Sequence, residues 1–169
     1  MDIPNMKKIT CLLVILLSSC AQNTAHQQAT QIDQINGAVF RHAFSYYQSS
    51  IDKKSFEYFF ISIGQKDPDA KFLSFFKNET PSVVVQSLSK VNCEEDDDLS
   101  GNSFPIKNIN NGKRGIIVSV VQPEKVSDTK YKIQWSSVKD CLGGGGHEGV
   151  IELINGKWIV TLEKPTWIS

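Results

Sequence analysis

Between residues 31 and 50 the apolar positions Ile32, Ile35, Val39, Ala43 and Tyr46 recur at steps of three and four, and Phe40, Phe44 and Tyr47 widen the stripe. That period predicts one amphipathic helix with a broad aromatic face. Such a face needs an apolar partner, and the next run, Phe56 to Ile63 (FEYFFISI), has the bulk and length of a strand. A helix lying on a sheet is therefore expected. Asp67-Pro68-Asp69 reads as a second helix start, with Asp67 accepting a first-turn N–H, Pro68 where no donor is needed and Asp69 favourable to the dipole. Phe72, Leu73, Phe75 and Phe76 would be its buried side, and Val83 to Val85 after Pro81 reads as another strand.

The last third carries four β-rich segments, residues 115–122, 129–138, 149–154 and 157–163, separated by turn residues. Consecutive strands with short turns predict an antiparallel meander. Asn155-Gly156 marks a two-residue hairpin, because both positions of the tight turn require positive φ. The expected fold is α+β: an N-terminal helix and a short second helix packed on a curved antiparallel sheet that ends in a four-strand meander, with residues 32–169 as one domain.

The N-terminus follows a different logic. Met6-Lys7-Lys8 precedes a nine-residue apolar run, Ile9 to Leu17, and the small residues Ser18 and Ser19, the layout of a secretory signal. Nine helical residues at about 1.5 Å each reach less than half of a hydrocarbon core of about 30 Å, so a permanent membrane span is excluded on length. Leu17-Ser18-Ser19-Cys20 resembles the lipobox of bacterial lipoproteins. The resemblance implies cleavage after residue 19 and a lipid on Cys20, whose several acyl chains at about 0.8 kcal/mol per methylene would hold the chain to a bilayer. By resemblance to bacterial sorting rules, Ala21 and Gln22 after the cysteine, with no Asp, imply an outer-membrane destination, where a domain facing the periplasm is expected. Residues 20–31 then form the lipidated cysteine and a polar tether, whose coil span is on the order of 18 Å.

Charge and cysteine usage narrow the function classes. The 18 basic and 18 acidic residues cancel, which argues against a nucleic-acid partner. Removal of residues 1–20 takes Lys7, Lys8 and Asp2 and leaves about minus one. Cys11 leaves with the signal and Cys20 carries lipid, so Cys93 and Cys141 remain to pair in an oxidising compartment. Closing a loop of about 49 residues would stabilise the fold by roughly 4 kcal/mol in the chain-entropy model. Without C-x-x-C spacing the bridge reads as structural.

No set of residues demands a reaction. His147 and Glu148 follow Gly143 to Gly146, but neighbours on a strand face opposite ways, which disfavours them as a catalytic dyad. The glycine run lacks the Lys-Ser/Thr of a phosphate loop and reads as a flexible hairpin tip. Glu94 to Gly101 resembles the opening of a calcium loop, yet the twelfth position is Lys107 instead of a bidentate Glu, so it reads as a solvated acidic loop. His26 and His42 share no ligand spacing with another His or Cys, and no zinc site follows. Phe56, Tyr58, Phe60, Trp135 and Trp158 read as core before they read as a ligand cavity. No catalytic residue, metal or cofactor is assigned.

Taken together, FISI-G-Q-K-DPDAKFLSFF, NNGKRGIIV, the closing NGKW-IV and Trp167 resemble a group of small bacterial proteins of uncharacterised function, over most of the mature chain. The order of elements also resembles the cone-shaped nuclear transport factor two superfamily, whose members include enzymes, carriers and scaffolds. The resemblance implies packing roles only: Asp67 and Pro68 at a helix start, Gly112 in a turn, Trp158 as a core aromatic. The functional expectation is a lipid-anchored envelope module that binds an envelope protein or an apolar ligand without catalysis. The alternative is an enzyme or small-molecule carrier with a pocket between the first helix and the sheet, which requires at least two ionisable groups facing that pocket.

Overall fold

A computed structural model describes residues 30–48, 56–93, 106–141 and 143–168. The export segment 1–19, Cys20, His26 and the acidic loop 94–101 lie outside the described residues. Helix α1 covers residues 30–48 and so begins within the stretch read as tether. Residues 1–34 and 35–169 separate as two units, and the account below concerns the second.

Along α1 the predicted stripe is buried at Ile35, Val39, Phe40, Ala43 and Phe44, while Tyr46 stands 53% exposed at its edge. Strand β1 (Tyr58–Ile63) receives it. Phe44 stacks on Phe59 with ring centroids 4.1 Å apart, and Phe40 meets Phe72 and Phe76 edge-on at 6.0 Å. Helix α2 (Ala70–Leu73) runs into a 3₁₀ turn at Ser74–Phe76. Its cap is Asp69, which accepts from Phe72 N at 2.7 Å; Asp67, read as the cap from sequence, instead accepts from Ser87 N at 3.1 Å. Because the second turn tightens, only Phe72 and Phe76 are buried and Phe75 turns outward.

The remaining strands are β2 (Ser82–Val85), β3 (Ser89–Val91), β4 (Ile106–Asn108), β5 (Gly115–Val120), β6 (Glu124–Ser127), β7 (Lys130–Val138), β8 (Gly144–Ile154) and β9 (Lys157–Ile168). The main sheet has seven strands in the order β2-β1-β5-β7-β8-β9, with β6 also pairing β7, and β3 and β4 form a separate ribbon. The α+β class and the β5-β7-β8-β9 meander are as expected, but the sheet is mixed, since β1 runs parallel to both β2 and β5. Phe59–Ile61 and Ile116–Val118 are continuous apolar runs because both faces are covered there, the sequence habit of parallel strands. On the face away from Phe59, Phe60 and Ile117 pack with Ile106 of β4 and, partly buried, Leu88.

Asn155 (φ 50°) and Gly156 (φ 74°) form the predicted two-residue turn, with Ile154 paired to Lys157. Gly112, at φ 70°, turns the chain between β4 and β5. Trp158 is only half-buried, edge-on to Tyr131 at 5.6 Å. Of the glycine run only Gly143 lies in the β7–β8 turn: Gly144, Gly145 and Gly146 are strand residues paired to Val138, Ser137 and Ser136. A Cβ on Gly146 would lie 2.1 Å from Trp167 Nε1, and one on Gly144 3.1 Å from the same indole. Trp167 lies across the strand at Gly146, and at Gly144 the Ser137 carbonyl oxygen, 2.9 Å from an added Cβ, is nearer still. Cys93 and Cys141 are joined by a disulfide, with Cα atoms 5.7 Å apart, tying the end of β3 to the β7–β8 turn.

Candidate functional site

Three strands and one helix place polar side chains on a single face at the β9 end of the sheet. On β7, Trp135 and Ser137 are two residues apart and share a face. On β8, His147 lies opposite Trp135 and Gly145 opposite Ser137. On β9, Glu163 pairs with Gly149 and Pro165 with His147, with register shifts between Gly146 and His147 and between Val150 and Ile151. These bulges re-aim β9, a common device beside functional sites. Helix α1 presents His42, Tyr46 and Tyr47 to this face; His42 and Tyr46 are one turn apart.

Glu163 is gripped from two sides. His42 Nε2–H donates to Glu163 Oε2 at 2.6 Å, and His147 Nδ1 lies 2.7 Å from Oε1. The second contact is an ion-pair distance without hydrogen-bond alignment, for Oε1 is buried and has no hydrogen-bond partner. The His147 ring stacks on Trp135 at 4.0 Å with planes 2° apart, and Tyr46 meets both rings edge-on. Tyr47 and Ser137 bond through their hydroxyls. Burial pushes the Tyr47 phenol above its ordinary value, partly offset by that bond and reinforced by Tyr46. Trp135 Nε1 is also buried without a partner. Leaving a buried polar atom unpaired costs about 1–3 kcal/mol, and such costs gather where function holds them in place.

The cluster opens on a cleft of about 590 Å³, lined by Tyr46, Tyr47, Ser137, His147, Glu163 and, among others, Lys139, Pro165 and Ile168. That volume is within the range of small-molecule sites. A second groove of about 570 Å³ lies on the opposite face, around Leu162. Its charges neutralise one another as Lys132–Glu124 and Lys164–Glu148 pairs.

His147 and its sequence neighbour Glu148 are separated by the strand geometry as expected: Glu148 turns to Lys164 at 2.7 Å. The carboxylate that does meet His147 comes from the following strand. Trp135 is buried, as expected, and backs the His147 ring that lines the cleft, whereas Phe56, Tyr58 and Phe60 belong to the packing around β1. His42, Tyr47, Ser137 and Glu163 carry no sequence signal as a set; their register across α1, β7, β8 and β9 creates it. The two imidazoles address different oxygens of Glu163, and among the described residues no group of three or more His, Cys, Asp or Glu is arranged to hold a metal. Among them no helix is long and apolar enough to cross a membrane. Comparisons with protein-family models, curated proteins and solved structures give no match.

Proposed function

We propose that this chain is a lipid-anchored module of the bacterial envelope that binds a small molecule in the cleft between α1 and strands β7–β9. The observation that carries the reading is the Glu163–His147 contact at the wall of a cleft of about 590 Å³, joined from behind by His42 of α1 and backed by Trp135. Convergent polar groups in a concave, partly aromatic site are what ligand recognition requires. The anchor rests on the sequence Leu17-Ser18-Ser19-Cys20 after a positive and apolar leader.

A second reading, an enzyme with His147 as general base, draws on the 2.7 Å contact with Glu163. Ser137, the hydroxyl that would serve as nucleophile, is bonded to Tyr47, which favours binding over acyl transfer.

A thermal-shift screen of small molecules against the full chain in detergent tests the proposal. The control is Gly145→Leu, since a Cβ at Gly145 meets nothing closer than 3.6 Å and the added side chain would fill the cleft. Compounds should stabilise the unmodified chain and leave the variant unmoved; equal shifts in both would contradict the site. Labelled palmitate should enter the protein and be lost with Cys20→Ser, and its absence from the unmodified protein would remove the anchor.

A further inference from the structure

We infer that the ligand of this cleft is an organic anion with a flat apolar body, its charged group set toward Lys139 and His147 and its body against Tyr46, Pro165 and Ile168. This rests on the cleft being a binding site and adds the ligand's charge and shape. Two formal charges line the cleft besides His147, those of Lys139 and Glu163. They are not equivalent. Glu163 already faces two imidazoles, at 2.6 and 2.7 Å, and accepts from His42, so it is engaged within the wall. Lys139 makes no ion pair among the described residues, and its side chain is exposed at the mouth. Asp140, next in the chain, does not line the cleft: its carboxylate covers Gly143, where an added Cβ would lie 2.4 Å from Oδ2.

Lys139 is therefore the charge at the mouth that no described carboxylate pairs. An exposed ammonium lining the same cleft as an imidazole is suited to a carboxylate or a comparable oxyanion, through charge-assisted hydrogen bonds. A cationic ligand would have to compete with His42 and His147 for Glu163. The shape of the body follows from the neighbours. The His147 ring, stacked on the buried Trp135, and Tyr46, edge-on to it, offer ring surfaces, and Pro165 and Ile168 supply an apolar lip. Flat rings fit between such surfaces with little ordering cost.

Three probes that share one body and differ in charge separate the outcomes: 1-naphthoate, 1-naphthamide and 1-naphthylmethylamine. They would be titrated calorimetrically into the full chain in detergent, at low salt and pH 6. The expected order is naphthoate tightest, with the amide about tenfold weaker and the amine weakest. Lys139→Gln, an exposed change that leaves the packing alone, should lower naphthoate affinity about tenfold and leave the amide unchanged. Raising the salt should weaken naphthoate selectively. If the amide or the amine binds as tightly as naphthoate, or if Lys139→Gln has no effect, the anion assignment is overturned while the cleft stands. If no probe binds and the Gly145→Leu control behaves like the unmodified chain in the screen above, both readings fall.

Discussion

The imidazole of His147 lies flat on the indole of Trp135, 4.0 Å between ring centres and 2° between planes. Each ring fixes the other: Trp135 is held in the buried face of β7, and His147 keeps Nδ1 within 2.7 Å of Glu163. A double-mutant cycle on Trp135→Leu and His147→Leu should return a coupling of about 0.5–1.5 kcal/mol, the usual worth of an aromatic pair beyond its burial. Additive effects in chemical denaturation would mean that the stacking is incidental.

The glycines of β8 should fall in a definite order. At Gly149 an added Cβ would sit 2.1 Å from the carbonyl oxygen of Leu162, a backbone atom that cannot step aside. At Gly146 the obstacle is the Trp167 side chain, which can, and at Gly145 there is room. Gly149→Ala should therefore cost about 2–3 kcal/mol, Gly146→Ala about 1 and Gly145→Ala close to nothing. Urea midpoints of the three variants check this, and a costly Gly145→Ala would contradict the register of β8.

The disulfide between Cys93 and Cys141 closes a separation of 48 residues. In the chain-entropy model its removal raises the freedom of the unfolded chain by about 4 kcal/mol. Cys93→Ser with Cys141→Ser should lower the melting temperature by on the order of 10 °C, and non-reducing peptide mapping should find the two cysteines linked. Free thiols in exported protein, or an unchanged melting temperature, would count against it.

Tyr47 links stability to high pH. Its folded phenol is raised above the ordinary value, first by burial, so the folded state holds the proton after the unfolded chain has released it. The stabilisation is fully present below about pH 10 and is lost as the pH climbs through the folded value. Tyr47→Phe loses the hydroxyl contact to Ser137, at about 1 kcal/mol near neutrality. Above pH 10 its stability should fall less steeply than that of the unmodified protein. Parallel slopes between pH 9.5 and 11 would show that the phenol is not buried as described.

How much of this was legible beforehand depends on distance along the chain. The α1 stripe, the β5-to-β9 meander and the Asn155-Gly156 turn are local patterns, and each is present. Cys93 and Cys141 were found by elimination. The parallel pairing of β1 departs from the expected antiparallel sheet: the unbroken apolar runs FFI and IIV fit it, but it needs crossovers that no local pattern specifies. The glycine run misleads in the same way, because at Gly146 the neighbour is Trp167, more than twenty residues later. His42 and Glu163 are 121 residues apart, and only the docking of α1 on β8 and β9 brings them to one carboxylate–imidazole contact. The site was hidden because it is made by register, not by motif.

Mapping where a stabilising compound sits tests the central claim most directly. Chemical-shift changes would be followed on the aromatic and imidazole resonances of the full chain in detergent as the compound is added. The largest should fall on the Trp135 indole and the rings of His42, Tyr46 and His147. Changes centred instead on the opposite face around Leu162, or confined to neither face, would contradict a ligand site between α1 and the β7–β9 strands.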